Sequence, residues 1–170
     1  ICYVALAICL LYVSFIGWFI SFADVMFLML DVFLLVMFGT ALSSIINFFL
    51  SSQGQIAAVG TIMSAGYGFI CGAYMPISSF SSGLQKVVSF LPGTYGTSLV
   101  RNHSMNGAFR EMKSVGIPGN VVEMIRDSID CNLYFFDNKI EIPAMYIILA
   151  VTTIAFVGVY VALNALKRKP

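Results

Sequence analysis

Four long apolar stretches, separated by short polar segments, set the pattern of this chain. They run over about 1–22, 25–50, 56–75 and 142–166, and the third is weakened by glycine and serine. A helix needs roughly 18 to 20 apolar residues to cross the hydrocarbon core of a bilayer. No stretch alternates apolar and polar residues as barrel strands do. The pattern therefore predicts an all-α, polytopic helical membrane protein with about four transmembrane helices.

The stretches predict three consecutive regions along the chain. Residues 1–76 would hold three transmembrane helices, 77–141 a small extracellular region, and 142–170 the last transmembrane helix and a basic tail. The chain starts inside an apolar run and without an initiator methionine, so we expect it to belong to a larger protein.

The basic tail predicts the orientation of the helices. Lys167, Arg168 and Lys169 directly follow the last span. Basic residues beside a span favour the cytoplasmic side. We therefore expect a plasma-membrane protein whose carboxyl terminus lies in the cytoplasm. Because spans alternate in direction, the turn 51–55 is then cytoplasmic and the region 77–141 is outside.

The extracellular region is expected to contain short helices. Apolar residues recur at helical spacing over 84–91, Pro92 and Gly93 stop that helix, and a second short helix can begin near Thr94. Two short apolar helices beside a span predict a re-entrant or interfacial hairpin. Further on, Asn120 is a candidate N-cap of an amphipathic helix. Its expected apolar face consists of Val121, Val122, Ile125 and Ile129.

Small residues form a stripe along the third apolar stretch. Gly60, Ser64, Gly68 and Gly72 follow one another at four-residue spacing, which places them on one side of a helix. Helices in lipid associate through close packing over such surfaces. The stripe is either a packing seam between helices or the lining of a subunit interface or conduit.

Three polar side chains lie in the second apolar stretch. Asp24 is expected to cap the helix at the outer interface, and Asn47 to make an interhelical contact. Asp31 lies deeper, where a carboxylate costs about 2.5 to 3.5 kcal/mol unless it faces protein or water. It is therefore expected to point into the bundle, either as part of a substrate pathway or in a hydrogen bond between helices.

Composition and motifs exclude several other functions. Charged residues make up 10% of the chain and the formal net charge is +1, which argues against nucleic acid as a partner. The phosphate loop, the HExxH zinc pair and the GxSxG nucleophile turn are all missing from the sequence, so we expect no enzyme and no cofactor or metal site. The lone histidine, His103, is predicted to be a solvated loop residue. Cys131 is predicted to be a loop thiol, and whether it forms a disulfide is left open.

Residues 66–103, GYGFICGAYMPISSFSSGLQKVVSFLPGTYGTSLVRNH, resemble the membrane subunits of type-2 ABC exporters, a permease family that includes bacterial drug and polysaccharide exporters. The likeness consists of a glycine-rich span, an exit ending in proline, an amphipathic helix, a Leu-Pro-x-x-Tyr step and an arginine. The residues that carry it after the span are Pro76, Leu84, Leu91, Pro92, Tyr95 and Arg101.

The resemblance implies the last four of six spans of a permease, with those residues in an extracellular gate hairpin. It further implies a second permease copy or homologous half, and a cytoplasmic ATPase subunit or domain that binds and hydrolyses ATP. The cargo would be a drug, a lipid or a polysaccharide. Two alternatives stay open: a non-transporting structural or sensory subunit with an extracellular platform, and a fragment of a secondary transporter.

Overall fold

The computed structural model describes residues 2–17, 19–135 and 138–167, and this part of the chain is mostly helical. Its α-helices are α1 (Cys2–Ile16), α2 (Phe22–Phe48), α3 (Gln53–Ile70), α4 (Ser82–Val88), α5 (Pro92–Ser114), α6 (Gly119–Ser128) and α7 (Ile142–Lys167). A 3-10 turn, Ile77–Ser79, lies between α3 and α4. Strands β1 (Leu133–Phe135) and β2 (Asn138–Ile140) form an antiparallel ribbon in which Tyr134 pairs with Lys139. The all-α prediction is thus confirmed, with this small ribbon added.

Two of the helices, α2 and α7, are long and apolar enough to cross a membrane, with 27 and 26 residues. The other two predicted spans fall short of that test in the described residues. Helix α1 has 15 residues, and α3 has 18 but is diluted by small and polar residues.

Helices α2 and α7 run parallel to each other. The Tyr146 hydroxyl, near the start of α7, donates to Asp31 in the first half of α2. In the middle, the Phe38 and Phe156 rings stack with centroids 5.6 Å apart. At the far ends, Nζ of Lys167 lies 5.1 Å from the centroid of the Phe48 ring.

Helix α5 packs along the first half of α2, whereas α3 makes few contacts with α2. Tyr67, near the end of α3, packs its ring 6.1 Å from that of Phe38. Gly96 of α5 lies against Leu35, and Arg110 is bound to Asp24. At about 1.5 Å per residue, α5 therefore begins about 20 Å from the amino-terminal end of α2.

The structure corrects the prediction for α5. The second helix of the hairpin is not short, and the expected loop around His103 is helical, because α5 extends over 23 residues. Pro92 starts the helix because the first helical position needs no amide donor. The polar side chains that suggested a loop are buried along the helix instead, among them Thr94, Ser98 and Asn102.

The amphipathic helix predicted near 120 is confirmed as α6, but Asn120 is not its N-cap. The helix begins at Gly119 after Pro118, without a capping side chain. Val122 is fully buried, whereas Val121 is 37% exposed and lies off the apolar face. A small core forms where α6 meets the end of α5, from Phe109, Val122 and Cys131.

The main core lies where α2, α5 and α7 meet. It also takes one residue each from the 3-10 turn, α4 and β1, so the hairpin and the ribbon are packed onto the bundle. Its buried members are Phe38, Ile77, Val88, Tyr95, Leu99, Leu133, Met145 and Leu149.

Candidate functional site

Close backbone approach fixes α5 in the bundle. A Cβ atom on Gly107 would overlap the carbonyl oxygen of Phe19, so the helix touches the segment before α2 backbone to backbone. A Cβ on Gly93 would come within 2.6 Å of the Tyr67 ring and 2.9 Å of Sγ of Cys71, at the end of α3. Only glycine allows these approaches. They bring the polar side chains of α5 against α2, α7 and the segment 115–141, which we call the outer region after its predicted position.

A buried group of three ionisable side chains joins α2, α5 and α7. Nδ1 of His103 lies 2.6 Å from Oδ2 of Asp31, and the Tyr146 hydroxyl donates to Oδ1 of the same carboxylate. Asp31 has no exposed surface, and the His103 residue is 8% exposed. The Phe27 ring stacks on the imidazole with centroids 5.2 Å apart. We call Asp31, His103 and Tyr146 the buried triad.

The prediction of a solvated loop histidine is therefore wrong. His103 lies inside a helix whose neighbours supply a carboxylate and an aromatic face. Asp31 points into the bundle and makes hydrogen bonds between helices; its role in a substrate pathway stays a prediction.

A second polar cluster lies at the amino-terminal end of α2. Oδ1 of Asp24 accepts from Nδ2 of Asn106 at 2.8 Å, and Oδ2 lies 2.5 Å from Nη2 of Arg110. The backbone amide of Ser21 also donates to Asp24 at 3.0 Å. Ser21, not Asp24, occupies the N-cap position, since Asp24 is the third residue of the helix. The cluster ties the far end of α5 to the start of α2.

A third cluster, which we call the Arg101–Asp130 clasp, holds the exit of α3. Nη1 of Arg101 lies 3.0 Å from Oδ2 of Asp130, and Nη2 donates to the carbonyl of Gly72. The Asp130 carboxylate also accepts the backbone amides of Ile77 and Ser78. Asp130 has φ 56°, a left-handed conformation that aspartate tolerates better than most residues. The clasp joins the outer region, α5 and the connection after α3.

Gly72 is not part of the predicted small-residue stripe. Helix α3 ends at Ile70, and Gly72 lies beyond it with φ +80°, where the chain turns toward the 3-10 turn. The other three residues do lie together. Gly60, Ser64 and Gly68 line a cleft of about 330 Å³ between α3 and α2.

Asn47 lines the same cleft from the α2 side. Its Nδ2 donates to Oγ of Ser43 at 3.3 Å, one turn earlier in the same helix. This hydrogen bond lies within α2, so the expected interhelical contact of Asn47 stays a prediction. Asp31 does not line this cleft, so the predicted pathway residues fall into two places.

The residues predicted to form a gate hairpin lie around α4 and α5. Pro76 precedes the 3-10 turn, Leu91 precedes α5, and Pro92 begins it. Tyr95 is buried and donates to the carbonyl of Ser89, whereas Leu84 on α4 is 42% exposed. Their function as an extracellular gate stays a prediction.

Several ionisable groups of the outer region have a shifted pKa, among them Cys131 and Glu123. Burial raises the pKa of the Cys131 thiol to about 11, so it stays protonated at neutral pH. The thiol lies in the loop between α6 and β1, as predicted, and it is free and buried there. A hydrogen bond from Asn132, with Lys139 and Arg126 nearby, lowers the pKa of Glu123. Among the described residues, no three His, Cys, Asp or Glu side chains group together as metal ligands would.

Sequence reasoning missed the triad because it treated 101–107 as a loop. The available signal was a polar stripe at four-residue spacing through the whole segment: Thr94, Ser98, Asn102, Asn106 and Arg110. Such spacing marks one face of a helix. With α5 recognised, two carboxylates seven residues apart on α2 would have been natural partners for His103 and Arg110.

Comparisons with protein-family models, curated proteins and solved structures find no match to this chain.

Proposed function

We propose that this chain is the membrane-spanning permease portion of an ATP-driven exporter in the plasma membrane. Its cargo would be a drug, a lipid or a polysaccharide, and ATP would be hydrolysed by a separate subunit or domain. The observation that carries the proposal is the position of α4 and α5. Helix α5 begins about 20 Å along α2 and runs to its amino-terminal end, as the second helix of a re-entrant hairpin would.

The depth of α5 fits a membrane better than a surface. If α2 crosses a hydrocarbon core of about 30 Å, the start of α5 lies well inside it. Polar side chains at that depth are tolerated only when they are buried in protein or line a cavity. Ser98, Asn102 and His103 meet this condition, since each is buried and hydrogen-bonded.

The parallel course of α2 and α7 supports a four-span arrangement. Two parallel helices can both cross a bilayer only if the chain between them crosses once in the opposite direction. We infer that α3 and α5 share that crossing, since the end of α3 lies beside the start of α5, and α5 continues to the amino-terminal end of α2. Helix α1 would then be the remaining span, shorter within the described residues than the sequence predicted.

The same topology supports a cytoplasmic carboxyl terminus. Lys167 ends α7, and the predicted basic cluster continues in Arg168 and Lys169, which lie outside the described residues. With the tail inside, the turn between α2 and α3 is also inside, and the clasp and α6 are outside.

The cleft between α2 and α3 is our candidate for part of the cargo path. It is apolar with a few polar groups, from Asn47, Ser43 and Ser64, and its α3 side belongs to a helix without buried residues. A second permease copy against that face would complete a central pathway. ATP binding to the partner ATPases would then shift the pair between two arrangements, as alternating access requires.

Co-purification tests the proposal. A tagged copy of the chain, extracted in mild detergent from cells that express it, is expected to retain a protein with a GxxxxGK[ST] phosphate loop, and efflux from those cells should stop when ATP is depleted. An extracellular protein partner without any ATPase would favour the platform alternative. Efflux that follows an ion gradient and ignores ATP depletion would favour a secondary transporter.

A further inference from the structure

The buried triad contains more titratable groups than a packing contact needs. Two side chains, from α5 and α7, converge on the Asp31 carboxylate of α2, which has no exposed surface. An ionised carboxylate buried without a counter-charge costs several kcal/mol in effective terms, and neutral hydrogen-bond donors offset this only in part. An ionised Asp31 is therefore stabilised most by a positive charge within contact distance.

His103 is the side chain that can supply this charge. On α2, Asp24 is already paired with Arg110 of α5. The other arginine in this part of α5, Arg101, is paired with Asp130. Helix α7 brings Tyr146 to the site, and Glu141, just before that helix, is exposed. Among the described residues, the imidazole is thus the only cation-forming group in contact with the Asp31 carboxylate.

We propose that Asp31 and His103 form a proton-binding site that fixes α5 to α2 and α7. With the proton bound, His103 is an imidazolium whose Nδ1–H donates to the Asp31 carboxylate, while Tyr146 donates to its other oxygen. When the proton leaves to solvent, the carboxylate keeps only neutral donors and the three helices are held less tightly.

The effect of this site on transport rests on the proposed function. In an exporter, α5 occupies the outer half of the bundle, so proton release would loosen the outer end of the path. The proton site itself does not depend on that assignment, and it is tested without transport.

His103 is the only histidine in the chain, so its ring nitrogens can be observed without overlap. The protein is labelled with 15N-histidine, placed in lipid nanodiscs and followed by NMR as a function of pH. The doubly protonated fraction of His103 should persist to a higher pH in the native protein than in Asp31→Asn. The same titration in both proteins overturns the proposal.

Thermal unfolding provides a second test that survives a failure of Asp31→Asn to fold. His103→Asn keeps an amide donor close to the position of Nδ1 but cannot bind the proton. A group that gains a partner in the folded state stabilises it at low pH and loses that effect as pH rises through its release. The native protein should therefore melt higher than His103→Asn at pH 6, and the difference should shrink by pH 9 to the pH-independent part that comes from the lost stacking on Phe27. A difference that is constant over this range would show a hydrogen bond without proton binding.

Discussion

Helices α3 and α5 both lie beside α2, but they differ in how much of their own surface is buried. Helix α5 has ten buried residues and bonds its polar side chains to α2, α7 and the outer region. Helix α3 has no buried residue at all, although it is the more apolar of the two. Hydropathy alone would have assigned the core to α3.

The difference separates a helix that is packed within this chain, α5, from a helix whose surface stays exposed, α3. The polar groups of α5 find partners within the described chain, so this half is a finished, closely packed unit. The small residues of α3 leave a smooth face that contacts little, which is a surface for lipid or for another protein. Substitutions in the two helices should therefore have opposite consequences for stability and function.

The largest expected effect is at the clasp. Asp130→Asn keeps the left-handed backbone conformation but removes the charge that binds Arg101 and two backbone amides. Breaking a buried ion pair from one side costs about 3 kcal/mol of unfolding free energy, measured by denaturant unfolding in detergent. Asp127→Asn is the matched control, since Asp127 belongs to the same outer region and accepts only side-chain hydrogen bonds. Equal losses in both variants would contradict a special role of the clasp.

A smaller loss is expected where α5 meets the segment before α2. Gly107→Ala adds a methyl group against the carbonyl of Phe19, and backbone atoms cannot move aside as a side chain can. We expect a loss of about 2 kcal/mol. Gly39→Ala in α2 has open space around the new atom, so it should be neutral or gain up to about 1 kcal/mol from helix propensity. A stable Gly107→Ala protein would mean that α5 is not held by this contact.

The smallest effect on stability is expected in α3. A Cβ atom on Gly60 would meet nothing within 4 Å, so Gly60→Leu should be neutral or gain up to about 1 kcal/mol from helix propensity. The proposed function predicts lost export nonetheless, because the leucine fills the cleft. Gly66→Leu has equally open surroundings but does not line the cleft, so it should export normally. Normal export by Gly60→Leu would remove the cleft from the cargo path.

The sequence was sufficient to predict a helix where apolar residues dominate a long stretch. Helices α2 and α7 follow from apolar length, and the start of the hairpin from Pro92. It was insufficient where the decision depended on partners distant in the chain. Nothing near His103 indicates that Asp31 and Tyr146 lie beside it, and a polar segment was therefore assigned to solvent. The left-handed turn at Gly72 depends in the same way on Arg101, which lies 29 residues later.

The clasp also sets an order of assembly. The carbonyl of Gly72 and the amide of Ile77 are made 29 and 53 residues before the side chains that bind them. The native hydrogen bonds of Gly72 and Ile77 can therefore form only after Arg101 and Asp130, respectively, have been synthesised. The connection after α3 can reach its final conformation only then, because it is held by residues that are synthesised well after α3.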